Sequence, residues 1–197
     1  RRLTEFDEES LPIPSLAQWE TLGPTHYRFT LTGEGRTFSD GTRLTADDVK
    51  ATYESVLDPS NGSPHRAVLD IIRKIRTNGP DRVDFMLRKP DPMFPAYLGI
   101  GILPARLIRA DHGFNHSPVG SGPFRLSDWP EAGRLRLERR RDGQRLELLT
   151  VKEPNVRVMK LLRGEIHLLQ NDLPPELIGY LRSRDEVVVA EIPGINF

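Results

Sequence analysis

His112 and His116, in Asp111-His112-Gly113-Phe114-Asn115-His116, have the His-x3-His spacing that on a helix would set two imidazoles on one face for a metal ion. Gly113 within the run and Ser117-Pro118 after it argue for a loop. Asp111 is the sole further ligand nearby, so the sequence supports no metal centre. His26, His65 and His167 are scattered and read as surface or hydrogen-bonded residues. Ser121 lies in Gly120-Ser121-Gly122-Pro123 and is followed by Phe124-Arg125-Leu126, a strand pattern, whereas a nucleophile elbow needs a helix after its serine. The acidic runs Asp47-Asp48 and Asp7-Glu8-Glu9 consist of adjacent residues, which point in different directions and do not form an acid/base pair. Gly33-Glu34-Gly35 and Gly99-Ile100-Gly101 lack the phosphate-binding fingerprint. No catalytic constellation and no cofactor motif emerges, which argues against an enzyme.

What remains is suited to holding a molecule. Val119-Gly120-Ser121-Gly122-Pro123 can bring backbone amides close to a ligand without side-chain obstruction, although the same glycines could simply turn the chain. The basic cluster Arg134, Arg136, Arg139, Arg140, Arg141 and Arg145 alternates with leucines in Arg134-Leu135-Arg136-Leu137, as a solvated strand does. It has no aromatic stacking partners, so nucleic acid is not an expected partner. The 28 basic and 28 acidic residues cancel, which leaves no net field toward nucleic acid or an anionic membrane. There is no cysteine, so disulfides and thiolate chemistry are excluded. No apolar run approaches the ~18 residues of a membrane span, and a signal peptide would have to lie outside these residues.

The elements that would carry such a site are short. Seventeen prolines and sixteen glycines punctuate the chain, and apolar periodicity switches between two and 3.6, the pattern of a mixed α/β fold. Strands are expected near 27–31, 81–88, 123–128, 134–138, 146–151, 165–169 and 186–191. Helices are expected near 45–57, 64–72, 92–98, 104–109, 155–163 and 174–182. The clearest local signal is Phe38-Ser39-Asp40-Gly41-Thr42-Arg43-Leu44-Thr45-Ala46-Asp47-Asp48-Val49-Lys50: a tight turn with Gly41 at positive φ, then a helix capped by Thr45, with Asp48 completing a capping box.

That run, following Trp19 and the strand Tyr27-Arg28-Phe29-Thr30-Leu31, resembles the family 5 extracellular solute-binding proteins, receptors of peptide, nickel and related uptake transporters. Three further segments resemble the family in order. They are Arg2-Leu3-Thr4-Glu5-Phe6-Asp7-Glu8 with Pro14-Ser15-Leu16-Ala17-Gln18-Trp19-Glu20, then Pro118-Val119-Gly120-Ser121-Gly122-Pro123-Phe124, then Leu161-Leu162-Arg163-Gly164-Glu165-Ile166-His167. The sequence departs from the family at Glu138-Arg139-Arg140-Arg141-Asp142-Gly143, where relatives carry an Arg-Asn stretch followed by an aromatic pair.

The resemblance implies an α/β fold: the mixed β-sheet lobe of a type II (cluster C) periplasmic binding protein with a small α+β subdomain, the second lobe absent. Residues 1–197 would form a partial N-terminal lobe, with 45–117 as the subdomain excursion and 1–44 and 118–197 as the main lobe. It implies the substrate-binding component of an ABC importer, capturing a peptide-like or other small solute in an interlobe cleft. A solute-sensing domain of a transcriptional regulator is the alternative. The ligand-binding residues would be Val68, Leu98, Ile100, Gly120, Ser121 and Gly122, with no metal and no cofactor. ABC permease subunits are the implied partners, with no nucleic acid and no membrane insertion of this segment. The implied location is periplasmic or extracellular, with a lipid anchor on the full-length protein, or cytoplasmic for a regulator.

Overall fold

In the computed structural model, described here over residues 1–32, 36–170 and 173–190, strict alternation organises the centre of the molecule. Along β4 (His26–Leu31), Tyr27, Phe29 and Leu31 are buried, and His26, Arg28 and Thr30 between them face the other way and are half-buried. Strand β4 pairs antiparallel with β3 (Ala17–Gly23) and with β6 (Arg82–Leu87), and β6 pairs with β5 (Ile72–Asn78). The result is a four-stranded sheet in the order β3-β4-β6-β5.

The apolar face of this sheet is covered by α1 (Ala46–Leu57), which packs on β5 and β6. Gly41 has φ of +86°, the positive angle that the turn requires and that glycine takes without strain. The Asp48 carboxylate then accepts from the Thr45 amide at 2.7 Å and the Thr45 hydroxyl at 3.0 Å, closing the capping box. Tyr53 on α1 meets the edge of Phe85 at 5.4 Å, and Phe85 meets Phe29 at 5.5 Å, both nearly perpendicular. Such pairs add about 0.5–1.5 kcal/mol each beyond the area they bury. Phe94, in the 3-10 turn Phe94–Leu98, completes the cluster against Tyr27 and Phe85. That turn packs on the small hairpin of β1 (Thr4–Phe6) and β2 (Pro12–Pro14), and α3 (Ala105–Arg109) packs on α1.

The opposite face of the sheet is polar and ordered by charge. Register aligns Glu20 with Arg28, Arg28 with Asp84, and Asp84 with Arg76. Asp84 is only 4% exposed; it takes a bidentate pair from Arg28 at 2.8 and 2.9 Å, one bond from Asn78 at 2.9 Å, and has His26 at 3.3 Å.

Strands β7 (Phe124–Glu131), β8 (Arg134–Arg139) and β9 (Arg145–Leu149) form a sheet in that order. Short α2 (Arg66–Leu69) precedes β5, and α4 (Pro154–Leu162) and α5 (Pro175–Arg182) follow β9. The chain divides into two compact units, one of Arg1–Asp128 with Arg136–Leu146 and the other of Trp129–Leu135 with Glu147–Phe197.

Several elements differ from the sequence expectation. The helix expected over 64–72 is a single turn, because Ile72 is taken up as the first residue of β5. The stretches 165–169 and 186–190 are not strands; residue 191 lies outside the described residues, as does Gly33-Glu34-Gly35. Strands β1, β2, β3 and β5 were not expected. The four-stranded sheet draws two strands from before residue 45 and two from after it.

Candidate functional site

The Gly120-Ser121-Gly122 loop is fastened to the turn that precedes α1. Gly120 O accepts from the Ser39 amide at 2.8 Å. Arg140, just past β8, reaches across the loop: Nη1 donates to Thr37 O at 2.8 Å and to Gly122 O at 3.3 Å, and Nη2 donates to Phe38 O at 3.1 Å. The Arg140 amide also donates to Pro123 O at 2.8 Å. One residue thus ties the loop, the turn and the end of β8 together. A planar guanidinium with five donors can do this where the point charge of lysine could not.

Ser121 is 1% exposed, and its Oγ lies 3.2 Å from the Arg1 nitrogen. Arg1 O in turn accepts from the Ile102 amide at 3.0 Å. The Ile100–Ile102 segment and the glycine loop therefore share one neighbour, Arg1. Ile100 is half-buried and packs on the core, and Gly120 and Gly122 are half-buried.

The remaining residues expected in the site lie elsewhere. Leu98 is wholly enclosed at 0% exposure; its carbonyl accepts from the Tyr53 hydroxyl at 3.0 Å, and its side chain belongs to the core. Val68 sits on α2 with 54% of its surface exposed, and no hydrogen bond joins α2 to the loop among the described residues. The structure thus sets Gly120, Ser121 and Gly122 against the turn, links Ser121 through Arg1 to Ile102, two residues past Ile100, and leaves Val68 apart on α2.

The other chemical candidates are occupied locally. His112 Nε2 is 2.8 Å from Ser117 O and its ring stands edge-on to Phe114 at 4.9 Å, which closes the loop. No group of three His, Cys, Asp or Glu side chains converges among the described residues. Within the arginine-rich stretch, Arg125 pairs with Glu138 at 2.6 Å, Arg136 with Asp128 at 3.0 Å, and Arg139 grips Asp142 at 2.8 and 2.6 Å. That grip, with an amide bond from Gln144, holds the Asp142 carboxyl down at about 2. Within the second unit, an apolar groove of about 760 Å3 is lined by Leu161, Ile166, Leu173, Ile178, Leu181 and Val187. No helix among the described residues is long and apolar enough to cross a membrane.

Sequence reasoning missed the role of Arg140. In the sequence Arg140 reads as one of an arginine cluster typical of a solvated strand.

Helix α1 on one face of an antiparallel sheet, with a glycine loop clamped to the turn before it, belongs to a partial lobe of a type II periplasmic binding protein. NikZ of Campylobacter jejuni, solved in complex with Ni(L-His), superposes with a TM-score of 0.75 at 28% identity, covering 84% of this chain and 36% of NikZ. The chain belongs to the bacterial extracellular solute-binding proteins, family 5, whose model matches residues 12–197. Protein XP55 of Streptomyces lividans is 32% identical over 168 residues, 80% of this chain and 30% of that protein. Oligopeptide-binding protein AppA of Bacillus subtilis is 28% identical over 151 residues, 68% of this chain and 28% of AppA. Its structure with a nonapeptide gives a TM-score of 0.76. The chain thus spans about a third of the length of the relatives it matches.

Proposed function

We infer that this chain forms part of the substrate-binding component of an ABC importer that captures a peptide-like or other small solute. The observation that carries the reading is the match of the family model across residues 12–197. Relatives such as AppA, named as an oligopeptide-binding protein, support the peptide class. AppA is named as a binding protein and NikZ is solved with Ni(L-His), and neither favours the sensing alternative.

On this reading the chain supplies one wall of a cleft. Ile100, Gly120 and Gly122 meet the solute, with Val68 a further contact on α2. Ser121 and Leu98, both buried, support that wall from behind. Capture works by closure of a second lobe, driven by contacts made only in the closed state. Delivery is to ABC permease subunits, in a periplasmic or extracellular setting, with a lipid anchor at full length, and no chemistry is done on the solute.

Calorimetry with di- to pentapeptide pools tests this reading. The full-length gene product should show saturable binding, and residues 1–197 alone should bind at least tenfold more weakly, because half a cleft neither excludes water nor fixes both ends of a ligand. Absence of saturable binding by the full-length product would overturn the peptide reading; tight binding by 1–197 alone would overturn the half-cleft.

A further inference from the structure

We propose that the Gly120-Ser121-Gly122 backbone is a donor site for an oxygen acceptor of the solute, a carboxylate or a peptide carbonyl, and that Arg140 is the residue that holds it in shape. This rests on the solute-binding reading above.

The loop is held through its glycine carbonyls. Its two glycine carbonyls are engaged, Gly120 O by the Ser39 amide and Gly122 O by the Arg140 side chain, as is the following Pro123 O by the Arg140 amide. The amides of Gly120, Ser121 and Gly122, by contrast, donate to no acceptor among the described residues. Backbone donors sheltered from water are almost always paired, since leaving one unpaired is costly. Ser121, at 1% exposure, is the most sheltered of the three, and its half-buried neighbours are the two that a ligand can reach.

The glycines point the same way. Neither Gly120 nor Gly122 has a positive φ, and a Cβ built on either would meet nothing within 4 Å. Backbone conformation does not demand glycine at these positions, and neither does any packed neighbour. Two residues without side chains leave the loop backbone open to an oxygen acceptor approaching from outside the chain.

Arg140 supplies rigidity and sign. Among the described residues its guanidinium donates to three backbone carbonyls and meets no carboxylate. That positive charge beside the loop favours a carboxylate over a neutral carbonyl. The clamp on Thr37, Phe38 and Gly122 also fixes the amides in advance, so a ligand need not order them on arrival.

The test is amide NMR of the labelled 197-residue chain, titrated with sodium acetate and, separately, N-methylacetamide, at constant ionic strength against sodium chloride. We expect the Gly120 and Gly122 amide protons to move downfield saturably with acetate and more weakly with N-methylacetamide. Sodium chloride should leave them in place. In Arg140→Lys, where a single ammonium nitrogen cannot occupy both positions from which Nη1 and Nη2 donate, acetate affinity should fall at least threefold and the Ser39 amide should exchange at least tenfold faster. Core amides such as Phe29 should stay protected, which separates loosening of the loop from unfolding. Arg140→Ala repeats the measurement if it folds, and Arg140→Lys decides if it does not. Loop amides unmoved by both probes would overturn the proposal. So would loop amides already strongly protected without a probe, which would assign them to an internal water or to more of the polypeptide. The two readings fail separately. Acetate saturation without peptide binding by the full-length product keeps the donor site and removes the peptide receptor, and peptide binding with unmoved loop amides does the reverse.

Discussion

The Asp48 carboxylate accepts a buried hydrogen bond of 2.8 Å from the backbone amide of Ala105, 57 positions away, while its other oxygen caps α1. One side chain therefore starts two helices, α1 through Thr45 and α3 through Ala105. Asp48→Ala should destabilise the chain by about 3 kcal/mol, because two backbone amides lose their acceptor and one of them is buried. Asp48→Asn keeps one carbonyl oxygen and should cost roughly half as much. Urea midpoints of the three proteins check this, and equal values for Asn and Ala would contradict the shared role.

Gly41→Val should cost about 1–3 kcal/mol. A Cβ at Gly41 would meet nothing within 4 Å, so the penalty comes from forcing a β-branched residue to φ of +86°. Thr45→Ala removes only the hydroxyl from Asp48 and should cost about 0.5–1 kcal/mol. Thermal or urea denaturation that leaves Gly41→Val at wild-type stability would refute the turn.

The pairing of Asp84 sets an acid limit. Its hydrogen bonds from Arg28, reinforced by His26, hold its carboxyl below the ordinary value of 3.8, against the opposing effect of burial. A depressed folded-state value means stability that is fully present above 3.8 and lost as pH falls below it toward the folded-state value. Urea midpoints followed from pH 6 down to pH 2 should drop through that window in the wild type and drop less steeply in Asp84→Asn. Parallel curves would show that the pairing contributes nothing to folding.

Val68 separates stability from binding. With an exposed side chain on α2, Val68→Asp should change stability by less than about 0.5 kcal/mol. Peptide affinity of the full-length product should nonetheless fall severalfold if this position faces the cleft. Calorimetry of that variant with an unchanged affinity would remove Val68 from the site.

Where local chemistry carries the information, the fold was readable. Alternation in Tyr27-Arg28-Phe29-Thr30-Leu31 marked β4, and the turn with its capping box placed α1 to within a residue. Strand β5 escaped because a register shift between Ile72 and Lys74 puts its buried residues, Ile72 and Ile75, three apart rather than two. Strand β3 escaped for another reason. It lies at the sheet edge, and its polar residues Gln18, Glu20 and Thr21 are exposed there, so its pattern is faint. At 165–169 and 186–190 the error ran the other way, since alternation specifies a face but cannot supply a partner strand. In the site, glycines at 120 and 122 drew attention to the loop. The clamp from Arg140 was hidden because its targets are carbonyls, which every residue carries and no side-chain pattern reveals.

The charge row across the polar face of the sheet bears on how the strands find one another. The core face tolerates a slip of two residues, since apolar side chains would still point inward after it. The polar face does not. Moving β6 by two positions against β4 would bring Arg28 opposite Arg82 or Met86 in place of Asp84, setting cation against cation or stranding a charge beside a thioether. Asp84 would then be a nearly enclosed anion without its forked partner, a penalty of several kcal/mol. Glu20, Arg28, Asp84 and Arg76 thus work as a combination lock: hydrophobic burial decides which side of each strand turns inward, and the sequence of signs decides where each strand stops.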